Sequence, residues 1–404
     1  MNFFKYLLLL IPFNALAEGP IKVSAFGTFG LTLSDSNIYG YRQDISYDKG
    51  VFSDDFDFLA TSLLGGQLSY NFNPDLDFIG QVIIRDLPDP SLNKYISLGF
   101  LRYTPNVNWS IRLGRTAPDI FLITEYRNVN IAYTWAEVPN EVYGIIPFKH
   151  IDGLDITYKT KLAQGTLNTK FFTGETKNNI TFSTSSESLD IKDIIGLSLS
   201  YETTDWTIQA RHTNTYIGNE HPDRAFLSSQ VAQVPDFIWP NSKEFSNKLT
   251  IKNKKASYSS ISAQIQLDKY LLTTEFTQIN SNSESIPKVN NGYVSITRQF
   301  DNHALYGIYG FSDSDKYKFE EPGVVEEAVP ELINYINQVM NVYSSNQQTI
   351  SLGWRWDFSA NVSTSLQLNH TKVDNQGGTL WQNPTNSSKD AAINTLFFNV
   401  SFSL

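Results

Sequence analysis

The chain has 404 residues, of which 41% are hydrophobic, 14% aromatic and 18% charged, and its formal net charge is −10. It contains no cysteine, which excludes disulfide scaffolds, thiolate metal sites and cysteine nucleophiles. An acidic chain is poorly suited to neutralising phosphates, so nucleic acid is not expected as a partner. The aromatic content argues against disorder, and no apolar run of roughly 18 residues predicts a helix across a membrane.

Residues 1–17 have the pattern of an export signal. Lys5 gives the N-terminal region a positive charge, and residues 6–13 (YLLLLIPF) form a short apolar stretch. Ala15-Leu16-Ala17 has the small residues of a signal-peptidase cleavage site. The alternative, a short anchor helix, is disfavoured because the apolar stretch is too short to span a bilayer. The sequence therefore predicts a cleaved signal peptide followed by a single domain over residues 18–404.

From residue 21 onward, segments of about ten residues alternate between apolar and polar side chains, which is typical of strands with one apolar face. Over residues 260–267, for example, Ser or Gln alternates with Ile, Ala or Leu. The predicted strands are 21–33, 58–72, 76–85, 94–103, 108–115, 153–160, 166–174, 193–202, 206–215, 257–267, 270–280, 291–300, 303–312, 346–357, 361–371 and 392–404.

The predicted connections alternate strictly between short turns and long polar loops. This alternation predicts an all-β fold, a 16-stranded antiparallel transmembrane β-barrel with short periplasmic turns and long extracellular loops. A count of eighteen strands is the alternative, because one long loop could contain a further hairpin. The long loops are 34–57, 86–93, 116–152, 175–192, 216–256, 281–290, 313–345 and 372–391.

A barrel in lipid must close so that every backbone group is paired, with its apolar face toward lipid and its polar face toward the lumen. The predicted strand ends near the short turns carry many aromatic side chains, as expected where amphipathic rings meet lipid headgroups. In the last strand, Leu396, Phe398, Val400 and Phe402 share the predicted outer face. The alternation does not decide whether Arg102, Arg115 and Arg298 face the lumen or the lipid. It does not decide this for the fourth strand as a whole either.

With its signal peptide, sixteen strands, alternating connections and aromatic-rich final strand, the chain resembles the Gram-negative porins. It ends in Leu404 rather than the usual terminal Phe, and residues 139–144 (PNEVYG) only partly match a stretch of the general-diffusion branch. The resemblance is therefore to the wider porin-like superfamily. It implies an outer-membrane location, contact with lipid and lipopolysaccharide, and a homotrimer. Ala25, Gly27 and Gly30 on the first strand are small enough for close packing between subunits.

In porins the third long loop folds into the lumen and sets the pore size, which points here to a constriction loop at about 116–152. Its many apolar side chains favour an inward fold, since an outward cap would expose them to water. A loop of this length in a compact fold is usually functional. The candidate pore-lining residues on this loop are Asp119, Glu125, Arg127, Glu137 and Glu141.

Basic residues on the inward phase of the predicted strands are candidates for the barrel wall of the pore. An acidic loop facing a basic wall would create a transverse field that orients solutes and sets ion preference. Any one of these residues could instead pair with a neighbouring carboxylate and hold the wall. The candidates are Arg85, Arg112, Lys170, Arg211 and Arg355.

Two further loops contain local signals. Residues 330–343 place apolar side chains on one helical face with Pro330 at the start, which predicts a short helix over the pore mouth or a receptor-binding helix. Loop 216–256 holds Trp239-Pro240 and three lysines, Lys252, Lys254 and Lys255, which could contact lipopolysaccharide phosphates or a neighbouring subunit.

The predicted function is passive diffusion of small hydrophilic solutes and ions through a water-filled pore narrowed by loop 116–152. The alternatives are a substrate-specific channel and a plugged adhesin or receptor barrel. No hydrolase, metalloprotease or nucleotide-binding motif occurs, so neither an enzyme nor a cofactor or metal is expected.

Overall fold

The computed structural model describes residues 19–182, 185–385 and 387–404, so the predicted export signal lies outside the described residues. Within these ranges, sixteen antiparallel strands form one closed barrel, each strand pairing with its neighbours in chain order. They are β1 (Ile21–Ser34), β2 (Leu63–Asn73), β3 (Leu76–Arg85), β4 (Ile96–Asn106), β5 (Trp109–Thr116), β6 (Ile151–Leu162), β7 (Gly165–Phe182), β8 (Ser185–Glu202), β9 (Trp206–Ile217), β10 (Lys255–Leu267), β11 (Tyr270–Ser281), β12 (Val289–Phe300), β13 (His303–Ser314), β14 (Ser345–Ser359), β15 (Val362–Gly378) and β16 (Ala391–Ser403).

The barrel closes where its first and last strands meet. β1 pairs with β16, with Phe26 opposite Ser403 and Ser34 opposite Thr395, so the sheet has no free edge there. Short turns lie at one end of the barrel and long connections at the other, as the sequence predicts. At the short-turn end, Asp268 and Asp301 adopt left-handed φ values of 52°, a conformation that Asp tolerates better than most residues.

The polar and apolar faces are inverted relative to a water-soluble barrel. On β14, Leu352 points outward and is 66% exposed, whereas its neighbour Ser351 points inward and is 4% exposed. The same alternation places Ile261, Ile296 and Leu305 on the outside. An exposed apolar belt around a closed sheet is suited to lipid, because lipid cannot satisfy backbone hydrogen bonds but readily accepts these side chains.

Two stretches differ from the predicted strands. β7 and β8 run on as a paired ribbon well past the predicted ends at 174 and 193, so most of the predicted loop 175–192 is sheet. On β4, a bulge leaves Ser97 without a partner on β3, since Gln81 pairs with Leu98 and Val82 with Ile96. Beyond the extra residue, the alternate set of side chains faces the lumen. This explains why the strand shows no single alternation of polar and apolar residues in sequence.

The small residues of β1 lie on both faces of the sheet. Ala25 and Gly27 face outward, and a Cβ on Gly27 would collide with the ring of Phe402. Gly30 faces the lumen, where a Cβ would collide with Thr61 and Asn399. Gly30 therefore makes room for lumen side chains of its own chain, and packing between subunits stays a prediction for this strand.

Short helices occur only in the connections of the described chain, and none of them is long and apolar enough to cross a membrane. The α-helices are α1 (Leu92–Tyr95), α2 (Asn140–Tyr143), α3 (Pro222–Ala232), α4 (Ser242–Lys248) and α5 (Pro330–Met340). Single 3₁₀ turns cover Thr124–Tyr126, Asn130–Ala132 and Glu326–Ala328.

Helices α3, α4 and α5 share a hydrophobic cluster at the long-loop end. The predicted helix starts at Pro330 as expected, and its buried residues Ile336 and Met340 pack in the same cluster as Trp239 and Phe245. Trp239 is fully buried in this cluster. Trp239 therefore packs within the cluster, while Lys252 is exposed, and contact of loop 216–256 with lipopolysaccharide or a neighbouring subunit stays a prediction.

Candidate functional site

The connection between β5 and β6, residues 117–150, lies inside the barrel, and we call it the lumen loop. Its backbone and side chains contact wall strands on nearly every side, from β5 around to β16. Its apolar residues form one cluster with inward-facing wall residues, among them Ile120, Phe121, Tyr258 and Tyr293. The predicted inward fold of this loop is confirmed.

The first contact of the lumen loop with the wall is a group of charges near β5, β7 and β9. Asp119 Oδ1 accepts a hydrogen bond from Arg211 Nε at 3.0 Å, and its Oδ2 lies 3.3 Å from Lys170 Nζ. Glu125 Oε1 lies 3.0 Å from the same Lys170 Nζ and 3.2 Å from Arg112 Nη2. We call these five residues the charge cluster.

Burial shapes the energetics of the charge cluster. Burial alone would raise the pKa of Asp119, but Lys170 and Arg211 outweigh it and hold that pKa below its usual value. Glu125 follows the same pattern, with Lys170 and Arg112 lowering its pKa against the effect of burial. Both carboxylates are therefore ionised at neutral pH. Loop and wall are joined by direct ion pairs instead of facing each other across open water.

A second anchor joins the middle of the lumen loop to β12–β16. Trp135 Nε1 donates to Ser295 Oγ at 2.9 Å, and the Ala136 amide donates to the Tyr306 hydroxyl at 2.8 Å. Asn399 Nδ2 donates to the Ala136 carbonyl at 2.5 Å. These bonds satisfy the loop backbone in the interior, where an unpaired polar group would be costly.

Arg355 extends this second anchor on β14. Its guanidinium donates to the Ile131 carbonyl at 3.0 Å and to the Tyr133 carbonyl, and Nε donates to Asp357 at 2.9 Å. The predicted wall residue thus lies on the inward face, where it holds loop backbone and a neighbouring carboxylate together.

Buried carboxylates make the remaining contacts along the loop. Glu141 accepts a hydrogen bond from Gln347 Nε2 at 2.7 Å and another from Thr349. The wall residue Glu275 accepts from the Leu122 amide at 3.0 Å and from the Tyr143 hydroxyl at 2.7 Å. A carboxylate beneath a loop can satisfy backbone and hydroxyl donors at once, which suits it to holding irregular chain.

Arg127 is partly buried and Glu137 is buried, and their role as pore-lining residues stays a prediction. Arg127 donates to the Tyr143 carbonyl, and its guanidinium carbon lies 5.3 Å from the centre of the Phe121 ring. Burial raises the pKa of Glu137 to about 7, against the opposing effects of Arg127 and Lys149. Glu137 therefore titrates close to neutral pH.

A polar cavity of about 360 Å³ lies beside β3 and β4, on the long-loop side of the lumen loop. Arg85 lines it and donates through Nη2 to Asn128 Oδ1 at 2.6 Å. A polar ladder runs from here along the wall, in which Gln81 Nε2 donates to Gln67 at 3.1 Å and Ser97 Oγ donates to Gln81 at 2.6 Å. Other residues lining the cavity are Asp89, Lys94, Arg115, Lys149, His150 and Asp152.

The connection between β1 and β2 covers part of the lumen from the long-loop end. Arg42 is buried and donates to the carbonyl groups of Tyr47 and Thr181, both at 2.9 Å. Asp44 is fully buried and lies 2.9 Å from Lys149 Nζ of the lumen loop. Two long connections therefore pack against each other inside the barrel, an arrangement that the sequence did not predict.

The structure brings together Asp119, Glu125 and three of the predicted wall residues, while Arg85 and Arg355 contact other parts of the same loop. The sequence analysis missed Glu275, Tyr306 and Gln367, whose Oε1 accepts from the Ala136 and Glu137 amides at 3.2 Å. The signal for Glu275 was available, because it is a lone acid on the inward phase of its strand between Thr273 and Thr277. In the described parts of the chain, no group of three or more His, Asp or Glu side chains is placed to hold a metal ion.

No model of a known protein family matches the sequence, and no curated protein sequence matches it either. Solved structures resemble it over almost its whole length. OmpF of Salmonella typhi, in complex with daunomycin, and the outer-membrane channel DcaP of Acinetobacter baumannii each give a TM-score of 0.54 at 13% identity, covering 95% of this chain and 97% of theirs.

The anion-selective porin of Comamonas acidovorans also gives a TM-score of 0.54, at 12% identity, covering 95% of this chain and 100% of its own. At such low identity the likeness concerns the fold alone. The chain has the porin-like fold of Gram-negative outer-membrane proteins. Its apolar outer belt and closed sheet are those of a barrel that sits in the bacterial outer membrane.

Proposed function

We propose that the protein is an outer-membrane channel for small hydrophilic solutes and ions, whose passage is set by the lumen loop. The observation that carries this proposal is the charge cluster, because Asp119 and Glu125 hold the loop across the lumen by ion pairs to basic wall residues. The channel is not catalytic in this proposal, and it needs no cofactor.

We place the route for solutes beside β2, β3 and β4. The polar cavity at Arg85 and the ladder of Gln67, Gln81 and Ser97 support this route, since they provide hydrogen-bonding groups along one side of the wall. On the opposite side, the inward residues of β10–β16 are mostly buried beneath the loops, for example Ser262, Thr349 and Ser365. The conducting path is therefore narrow and off-centre, with the strongest selectivity near Arg85 and Arg112.

The burial of so much of the wall favours a second candidate, a plugged receptor or adhesin barrel. In that case the long connections bind a partner and the lumen conducts nothing. The two candidates differ in one measurable property, which is conductance.

Planar-bilayer recording of the purified protein, with a salt gradient across the membrane, tests the proposal. We expect discrete steps of small conductance, and the sign of the reversal potential reports which charges dominate the path. Silence from protein that is folded, as judged by heat-modifiable migration on a gel, would overturn the channel proposal and favour the plugged barrel.

We also propose that the barrel assembles as a homotrimer in contact with lipid and lipopolysaccharide. The small, partly exposed Ala25 on β1 supports close approach of a second barrel, whereas Gly27 is covered by Phe402 of the same chain. Conductance steps in groups of three and a cross-linking ladder ending at three subunits are expected. A ladder that stops at the monomer would contradict the trimer and leave the channel proposal standing.

A further inference from the structure

A second cavity, of about 150 Å³, lies on the other side of the lumen loop from the polar cavity. Pro147 lines both cavities and separates them. Loop residues 145–148 form one side, inward-facing residues of β7–β12 form the other, and Ile45 and Ile286 from two long connections complete the lining. We call it the apolar cavity.

The lining of the apolar cavity is dominated by branched aliphatic side chains. Its isoleucines come from separate parts of the chain and include Ile120, Ile145, Ile180, Ile191, Ile194, Ile217, Ile251 and Ile279. The few polar groups are mostly engaged elsewhere. Thr215 Oγ1 donates to the Lys192 carbonyl at 2.8 Å, and Thr379 Oγ1 donates to the Val342 carbonyl at 2.8 Å.

Water is a poor occupant of such a space. A buried water needs two to four polar partners, and apolar cavities of about this volume stay dry and take up benzene or xenon instead. An empty cavity is also costly, because the atoms that line it lose their packing contacts. Twelve or more apolar residues from six strands and four connections converge here without filling the space, which fits a site for a ligand better than a packing defect.

Two buried hydroxyls of residues that line the cavity, Thr213 Oγ1 and Tyr258 Oη, have no hydrogen-bond partner among the described residues. Thr213 points inward from β9, is 6% exposed, and its Oγ1 has no hydrogen-bond partner among the described residues. Thr213 lines the apolar cavity. A buried hydroxyl without a partner costs free energy, and a ligand that carries one hydrogen-bonding atom would satisfy it.

We propose that the apolar cavity is a binding site for a small apolar molecule, an aromatic ring or short alkyl group bearing a hydrogen-bonding atom that meets Thr213. The site lies apart from the proposed solute path beside β2–β4, and its occupancy does not depend on conduction. The ligand reaches it between the long connections, since Ile45 and Ile286 form the outer part of the lining.

Xenon is the first probe, because it reports an apolar cavity without any polar requirement. Crystals pressurised with xenon are expected to show a peak in the cavity of the unaltered protein. Ala256→Phe fills the cavity from β10 and should abolish the peak, whereas the matched variant Ala210→Phe, on the exposed face of β9, should keep it. Ordered water in the cavity, or no xenon peak in the unaltered protein, would overturn the proposal.

The polar contact has its own test. 4-Fluorophenol, followed by fluorine NMR, is expected to bind the unaltered protein and to bind the isosteric variant Thr213→Val roughly 2- to 10-fold more weakly, the range of one net hydrogen bond. Xenon binding should be the same in both proteins. Equal 4-fluorophenol affinity in both would contradict the role of Thr213. Bilayer conductance is recorded in parallel, so that a silent channel with an occupied cavity separates this proposal from the proposed function.

Discussion

Arg211 Nε donates to Asp119 Oδ1 at 3.0 Å, and the arginine side chain is only 1% exposed. A cation this well covered is stabilised by the carboxylate of the lumen loop instead of by water. Because Lys170 lies 3.3 Å from the same carboxylate, Asp119 connects the loop to two strands of the wall. The position of this end of the loop therefore depends on the charge of Asp119, while the second anchor holds the middle of the loop.

Asp119→Asn is expected to loosen the lumen loop. The substitution leaves Arg211 buried without its ion-pair partner, and removing one member of a buried pair costs about 3 kcal/mol. We expect larger single-channel conductance and a reversal potential shifted toward anions, since Arg211 and Lys170 then face the lumen uncompensated. Glu327→Gln, which removes an exposed acid from another long connection, is the control. Unchanged conductance and selectivity in the Asp119 variant would show that the cluster does not limit passage.

Replacing Arg112 and Arg355 together by Gln should shift ion preference toward cations. Arg112 balances Glu125 and Asp155, with Nε 2.8 Å from both oxygens of Asp155, so its loss exposes these acids to the path. The reversal potential under a salt gradient measures the shift. Arg298→Gln is the matched control, because Arg298 faces outward beside Tyr270 and its loss leaves the lumen unchanged. If the double variant and the control behave alike, the two wall residues lie away from the constriction.

Conductance should fall as pH drops from about 7.5 to about 5. A raised pKa means that Glu137 holds a proton in the packed loop that it would release in a freed loop. The packed loop therefore loses stability as pH rises from the usual Glu pKa of 4.5 to about 7. The groups that face Glu137 are Arg127, Lys149, Tyr41, Tyr133 and Tyr306.

Over this range Lys149 keeps most of its proton, because burial lowers its pKa only to about 8. Glu137→Gln mimics the protonated acid and should give the low conductance at both pH values. Glu327→Gln should keep the full response. A Glu137 variant that still responds to pH would assign the effect to another group.

Ile336→Ala should loosen the packing of helices α3, α4 and α5, which together we call the helical cap, without affecting the barrel. Ile336 is fully buried among α3, α4 and α5, and truncating such a residue costs about 2–5 kcal/mol. We expect faster proteolysis within residues 216–256 and unchanged heat-modifiable migration. Val325→Ala, at a half-exposed site in the same connection, is the control. A loss of barrel migration in the Ile336 variant would mean that cap and barrel fold as one unit.

The strands and their faces could be predicted from sequence because lipid and lumen impose opposite demands on alternate residues. Arg112, Arg211 and Arg355 were placed on the inward face by that alternation alone. Strand β4 could not be phased, since the bulge at Ser97 inserts one residue, and nothing in a single sequence marks a bulge there.

The contacts of the loops could not be predicted from the sequence, for a different reason. Asp119 and Glu125 were recognisable as loop acids, but a loop has no periodicity that says which wall residue it meets. The predicted field across open water is, in the structure, a set of direct ion pairs. The packing of Asp44 against Lys149 depends on two connections a hundred residues apart, and only the closed barrel brings them together.

The seam between β1 and β16 joins the two ends of the chain, and the lumen loop is fastened on both sides of it. Asn399 on β16 holds the Ala136 carbonyl, while Val129 packs against Phe26 of β1 and Leu63 of β2. Closing so long a stretch of chain carries a large entropic cost and comes late in folding. Because a cylinder that sealed first would exclude the loop, we expect insertion of the loop and sealing of the seam to occur in one coupled step of assembly.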